Sequence, residues 1–190
     1  MNRSAGDWRF KRIEMLLRGD PVRLQLLREV AALGLPDCWI GAGFIRSLVW
    51  DHSHGYESSS LANDVDVVWF DPKQGVEADR HHEQRLAASA PTVKWSVKNQ
   101  ARMHAGNGDA PYLSTTDAMR YWPETATAIA VRLSADGHLD ITAPFGLDDL
   151  FALIVRPTPR FENEKRAVYR DRIRRKKWHE RWPKVCLRDV

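Results

Sequence analysis

The sequence is poor in cysteine and has no long apolar run, and each scarcity excludes something. Only Cys38 and Cys186 occur, far apart and outside any Cys-x-x-Cys pair. That pattern argues against a disulfide framework and against a thiolate zinc site, and it fits a reducing compartment. No apolar stretch approaches the roughly 20 residues that a bilayer-spanning helix needs. The opening MNRSAGDWRFKR lacks the apolar centre of a secretory signal. A cytoplasmic protein without a membrane partner is expected. No internal repeat is visible, and the one biased segment is the serine run at 58–60.

What is present is a chain of 190 residues, long enough to bury a core without staples. Its charge is uneven. Residues 160–190 hold 12 Lys/Arg against 5 Asp/Glu, while the rest holds 17 against 20. Two segments are expected: a domain over 1–157 that includes N-terminal helices within 7–34, and a basic helical extension over 158–190. The extension either attracts a polyanion such as nucleic acid or is simply a solvated helix face.

The chain is organised around WIGAGFIRSLVWDHSHGYESSSLANDVDVVWFD, residues 39–71. It reads as strand, glycine turn, helix, polar loop and second strand. Asp64 and Asp66 are two residues apart on that second strand, so their side chains share a face, about 7 Å apart. Two carboxylates on one face repel unless a cation lies between them. Gly41-Ala42-Gly43 forms a turn through which a phosphate can approach backbone N–H groups. The following helix aims its N-terminus at that phosphate, and Arg46 lies one turn further in, within reach of it. A phosphate-holding turn beside carboxylates that hold Mg²⁺ (or Mn²⁺) is a minimal apparatus for moving a nucleotide.

These residues resemble the core of the nucleotidyltransferase superfamily that includes DNA polymerase β and the minimal bacterial nucleotidyltransferases. Ile40, Gly41, the Ala42-Gly43 pair, Asp64 and Asp66 match its apolar-Gly-Gly/Ser, helix, Asp-x-Asp pattern. VKNQARMH at 97–104 and APFGLDDLF at 143–151 are similar to a bacterial subgroup. The resemblance implies an α+β fold, with a small mixed sheet of about 4–5 strands and flanking helices. Two departures stand out: Ala42 occupies a position where many members have Gly or Ser, and the loop at 52–63, expected as a flap, is long. In the superfamily core a third carboxylate lies on the strand after the next helix. Here that strand, Val93 to Val97, offers none, although Asn99 near its end could serve as a neutral ligand. Asp140, flanked by Leu139 and Ile141, is the candidate third carboxylate.

The resulting expectation is metal-dependent transfer of a nucleoside monophosphate from a nucleoside triphosphate to an acceptor hydroxyl that the sequence does not name. Asp64, Asp66 and Asp140 would hold metal, and Gly41, Ala42, Gly43 and Arg46 would hold the nucleotide. The alternative is a nucleotide- or nucleic-acid-binding module of the same fold that has lost turnover. A third reading is an interaction protein that works through the basic tail. Arg9, Lys11, Arg12, Arg18, Arg23 and Arg28 are expected on a solvated helix face.

Overall fold

A computed structural model describes residues 7–57, 61 and 64–188. The N-terminal helices are α1 (Trp8–Arg18), capped by the Asp7 side chain on Arg9 N–H, and α2 (Pro21–Ala31), capped by Asp20 on Arg23 N–H with proline in its first turn. An acceptor at the cap and a proline that needs no partner are what a helix start favours. Strand β1 (Trp39–Gly41) follows, then α3 (Gly43–Ser53), β2 (Val65–Trp69), α4 (Val76–Ser89) and β3 (Trp95–Asn99). Next come α5 (Met103–Asn107), α6 (Thr115–Met119), β4 (Ala130–Leu133), β5 (Leu139–Thr142), α7 (Asp148–Phe151) and β6 (Ile154–Val155). The C-terminal segment forms α8 (Pro159–Glu162), α9 (Arg166–Lys176), α10 (Trp178–Arg181) and β7 (Cys186–Leu187).

The five-stranded sheet runs β3-β2-β1-β4-β5, with only β2 and β3 parallel. Alternation along the strands divides its two faces. Val65, Val67, Trp69, Trp95, Val97, Ile40 and Val131 enter the main core with Ile13, Leu17, Leu27, Ile45 and Val49 of the helices. The opposite face carries Asp66, Val68, Trp39 and Ala130. Its apolar part is a small cluster of Trp39, Val68, Met119 and Ala130, with Trp122 packed against it. One sheet face is therefore given to burial and the other is left partly open.

The C-terminal segment shares the main core. Phe161, Tyr169, Trp178, Trp182 and Val185 are buried there with the sheet residues. Trp178 and Trp182 meet Trp50 edge-on, at centroid distances of 5.8 and 5.2 Å. Trp182 Nε1 donates to the buried Asp51 carboxylate at 2.8 Å. β7 pairs in parallel with β6. Among the described residues no helix is long and apolar enough to cross a membrane.

Several local readings need correction. Arg23 is not on a wet face: it is 1% exposed, ion-paired to Asp20, and its Nε donates to Phe44 O at 3.0 Å. Asn99 holds a loop rather than a metal: its amide bonds Asp71 N, Asp71 O, Gln74 O and Ala101 N. Helix α3 runs on to Ser53, into the expected flap, and residues 58–60, 62 and 63 of that flap lie outside the described residues.

Candidate active site

β1 and β2 are antiparallel, with Trp39 opposite Val68 and Ile40 opposite Val67, so Gly41 stands level with Asp66. On the other side of β2, Asp66 pairs with Ser96 of β3. The turn and the carboxylates thus meet on the open face because of register alone. Asp64 sits one residue before the strand, and both aspartates line the same cleft. Burial raises the Asp66 pKa from its ordinary 3.8; the negative charge of Asp64 adds to this, while a Ser96 hydrogen bond, Lys176 and Arg172 oppose it.

The turn owes its shape to a different residue from the one expected. Gly41 has an ordinary φ but no room: a Cβ there would lie 2.8 Å from the Trp122 ring edge. The left-handed position is Ala42, at φ 52° and ψ −115°. Its N–H donates to Ile129 O at 2.9 Å and its carbonyl accepts from Arg46 N at 3.1 Å. These bonds hold an alanine where glycine is at ease, a strain typical of functional turns. Ala42 gives α3 no side-chain cap, so among the described residues its first-turn N–H groups keep their positive potential toward the cleft.

Arg46 is 8% exposed and stands among three indoles. Its guanidinium carbon is 5.3, 5.2 and 5.4 Å from the ring centroids of Trp50, Trp178 and Trp182. Nη2 donates to Ser47 Oγ at 3.2 Å, but the buried Nε has no hydrogen-bond partner among the described residues. Burial lowers its pKa from 12.5 to about 10. The charges of Glu124, Asp51 and Asp66 favour its cation, and Arg172 opposes it.

The cleft has two lobes. One, of about 180 Å³, lies between the start of α3, the two aspartates and the C-terminal helices, including Arg172, Lys176 and Trp178. The other, of about 260 Å³, runs over β3 and is lined by Val68, Ser96, Lys98, Gln100, Met103 and Trp122. Ala42, Asp66 and Arg172 border both.

Asp140 is not brought to this cleft. It pairs with Arg132 (Arg132 Nε to Asp140 Oδ2, 3.2 Å) on β5, and it lines a separate cavity with Trp39 and Arg120. Three strand spacings separate β5 from β2, about 14 Å. The acid that does approach is Glu124, fully buried, which holds Arg172 Nε at 2.5 Å and accepts from Thr127 Oγ1 at 2.7 Å. Among the described residues no three His, Cys, Asp or Glu side chains are grouped to hold a metal. Two carboxylates completed by phosphate and water oxygens are nonetheless the usual setting for Mg²⁺, so Asp64 and Asp66 fit that ion.

Sequence reasoning missed Glu124, Arg172 and Lys176. The last two did carry a signal, the i, i+4 spacing that puts them on one helix face. Glu124 carried none, because its role depends on Arg172 arriving from 48 residues away.

Residues 28–187 match the profile of a family described as nucleotidyltransferase. The chain belongs to the nucleotidyltransferase family. It is 33% identical to a protein whose NMR structure is described as revealing a CCA-adding enzyme head domain; the TM-score is 0.84, with 95% of this chain and 96% of that one covered. The fold is also similar to that of the Thermotoga maritima CCA-adding enzyme in complex with tRNA, at 14% identity and TM-score 0.59. A tRNA-processing enzyme in an apo form gives 16% and 0.54. The alignments take in 94% and 86% of this chain but only 42% and 44% of those two longer chains. No curated protein matches.

Proposed function

We propose that the chain transfers a nucleoside monophosphate from a nucleoside triphosphate to an acceptor hydroxyl. The observation that carries this reading is the register that sets Gly41 level with Asp66, so that an uncapped helix start and two carboxylates border one cleft. Asp64 and Asp66 are the residues that would hold Mg²⁺ or Mn²⁺; the bound ion would supply Lewis-acid activation and charge neutralisation at the reacting phosphate. The amides after Ala42 and the Arg46 guanidinium bind the departing phosphates, which lie in the cationic lobe. Displacement at phosphorus is in line, so the acceptor enters from the opposite side, through the lobe over β3. Ser96 stands level with Asp66 on β3, where its hydroxyl favours the charged carboxylate. Trp122 and Gln100 offer that lobe a flat apolar wall and an amide edge, which suits a nucleotide. The likeness to a CCA-adding enzyme head domain supports an RNA end as that acceptor.

One observation favours binding without turnover: the position beside Asp66 on β3 is Ser96, not an acid. A single experiment separates the two readings. The chain is incubated with α-labelled nucleoside triphosphates, Mg²⁺ or Mn²⁺ and RNA acceptors. Transferred label that disappears in Asp64→Asn with Asp66→Asn supports catalysis. Label that survives both substitutions refutes the assignment. Metal-dependent nucleotide binding without product from any acceptor supports the binding module.

A further inference from the structure

The basic helix α9 presents different residues on its different faces. Arg174 and Arg175 point outward, 77% and 71% exposed, and pair with Asp171. Arg172, half-buried, and Lys176, one turn on and exposed, both line the cleft opposite the start of α3. Arg172 is tied by Glu124, whereas Lys176 makes no ion pair among the described residues. Burial lowers the Lys176 pKa first, followed by repulsion from Arg172 and Arg46, with Asp64 and Glu124 opposing. Together with Arg46 Nε, buried and without a hydrogen-bond partner among the described residues, this makes three clustered cations facing a space. Like charges are brought together at such a cost where a polyanion completes the site.

We infer that Arg46, Arg172 and Lys176 form a polyphosphate clamp closed by the C-terminal helix, with Glu124 as the positioning residue that aims Arg172 into the cleft. The clamp deepens the nucleotidyl-transfer reading and rests on it for its place in the reaction, but it binds polyphosphate in its own right. Its ligand class is an anion of two or more linked phosphates, not a monophosphate: the cations come from two walls of the cleft, α3 and α9, and linked phosphates can reach both at once.

The test is calorimetric titration of the full chain with inorganic tripolyphosphate and with phosphate, without divalent metal. Circular dichroism of every variant checks folding. Binding should favour tripolyphosphate at least about 100-fold. Arg172→Met and Lys176→Met should each weaken it about tenfold or more, while Arg174→Met on the outer face should leave it unchanged. Glu124→Gln should weaken binding in the wild-type background and add nothing in Arg172→Met, and Arg172→Lys should restore part of the affinity. The clamp is overturned if folded Arg172→Met and Lys176→Met bind as well as wild type. It is equally overturned if Arg174→Met loses as much, since binding would then follow helix charge alone. Where Glu124→Gln unfolds the chain, Glu124→Asp takes its place, and full additivity with Arg172→Met overturns the positioning role. Tripolyphosphate binding with no label transfer would leave the clamp standing and remove the nucleotidyl-transfer reading.

Discussion

Replacing Arg46 with methionine should leave the fold nearly as stable as before and remove much of its capacity for polyphosphate. The depression of the Arg46 pKa from 12.5 to about 10 corresponds to about 3 kcal/mol of unfavourable burial, at about 1.36 kcal/mol per unit. Because the folded value is the lower one, that cost is present at every pH below about 10. Against it stand three indole contacts sharing one guanidinium, at 5.2–5.4 Å, toward the outer limit of about 6 Å and so worth about 1 kcal/mol each. The two terms nearly cancel. Methionine keeps the stem and adds sulfur–ring contacts of about 0.3–1.5 kcal/mol. Arg46→Met should therefore unfold in urea within about 1 kcal/mol of wild type, whereas breaking a structural buried ion pair costs about 3–5 kcal/mol. The ligand response should diverge. At a hundredfold excess over Kd, tripolyphosphate should stabilise wild type by about 2.7 kcal/mol, raising Tm by about 5–11 °C for a chain of this size. A hundredfold loss of affinity would shrink that shift to about 1–2 °C. Thermal melts with and without tripolyphosphate read both effects. A loss of more than about 3 kcal/mol with an undiminished ligand shift would show that Arg46 is a structural strut.

Three further predictions concern the same face. Ala42→Gly should stabilise the chain by about 1 kcal/mol, since it relieves a left-handed alanine, while Gly41→Ala should cost about 1–3 kcal/mol by driving a methyl into Trp122; urea midpoints showing the opposite order would contradict this account of the turn. The Asp66 carboxyl is protonated in both folded and unfolded chains well below 3.8. Its folded pKa is raised, so wild type loses stability as pH climbs through that value. Asp66→Asn lacks this step, and without divalent metal its stability advantage should grow from acid toward neutral pH; a constant or reversed difference in urea melts would count against the buried-carboxylate reading. Asp140→Asn should retain label transfer within about twofold, against losses of about 100-fold or more for Asp64→Asn; equal losses in folded proteins would restore Asp140 as a third ligand.

The site's skeleton was legible because it depends on local rules. Period two along β2 put Asp66 on the face opposite Val65 and Val67, and the Asp7 and Asp20-Pro21 signals marked both helix starts. Strand pairing was not legible. Whether Asp140 lay beside Asp66 depended on β5 being the edge strand, three places from β2, and no local signal encodes strand order. Arg23 and Arg46 show the same limit from another side. Each is an arginine on a helix, and burial came from a partner distant in sequence, Phe44 O in one case and Trp178 with Trp182 in the other. The basic tail stays open between a polyanion-attracting surface and a solvated face, because composition cannot tell which turn of a helix faces a cleft.

The most direct measurement is a crystal structure with a non-hydrolysable nucleoside triphosphate and Mn²⁺. The account predicts anomalous density at the carboxylates of Asp64 and Asp66, with the terminal phosphates against the amides after Ala42 and within reach of Arg46, Arg172 and Lys176. Nucleotide seated instead in the Arg132–Asp140 cavity, or Mn²⁺ away from the two aspartates, would contradict it.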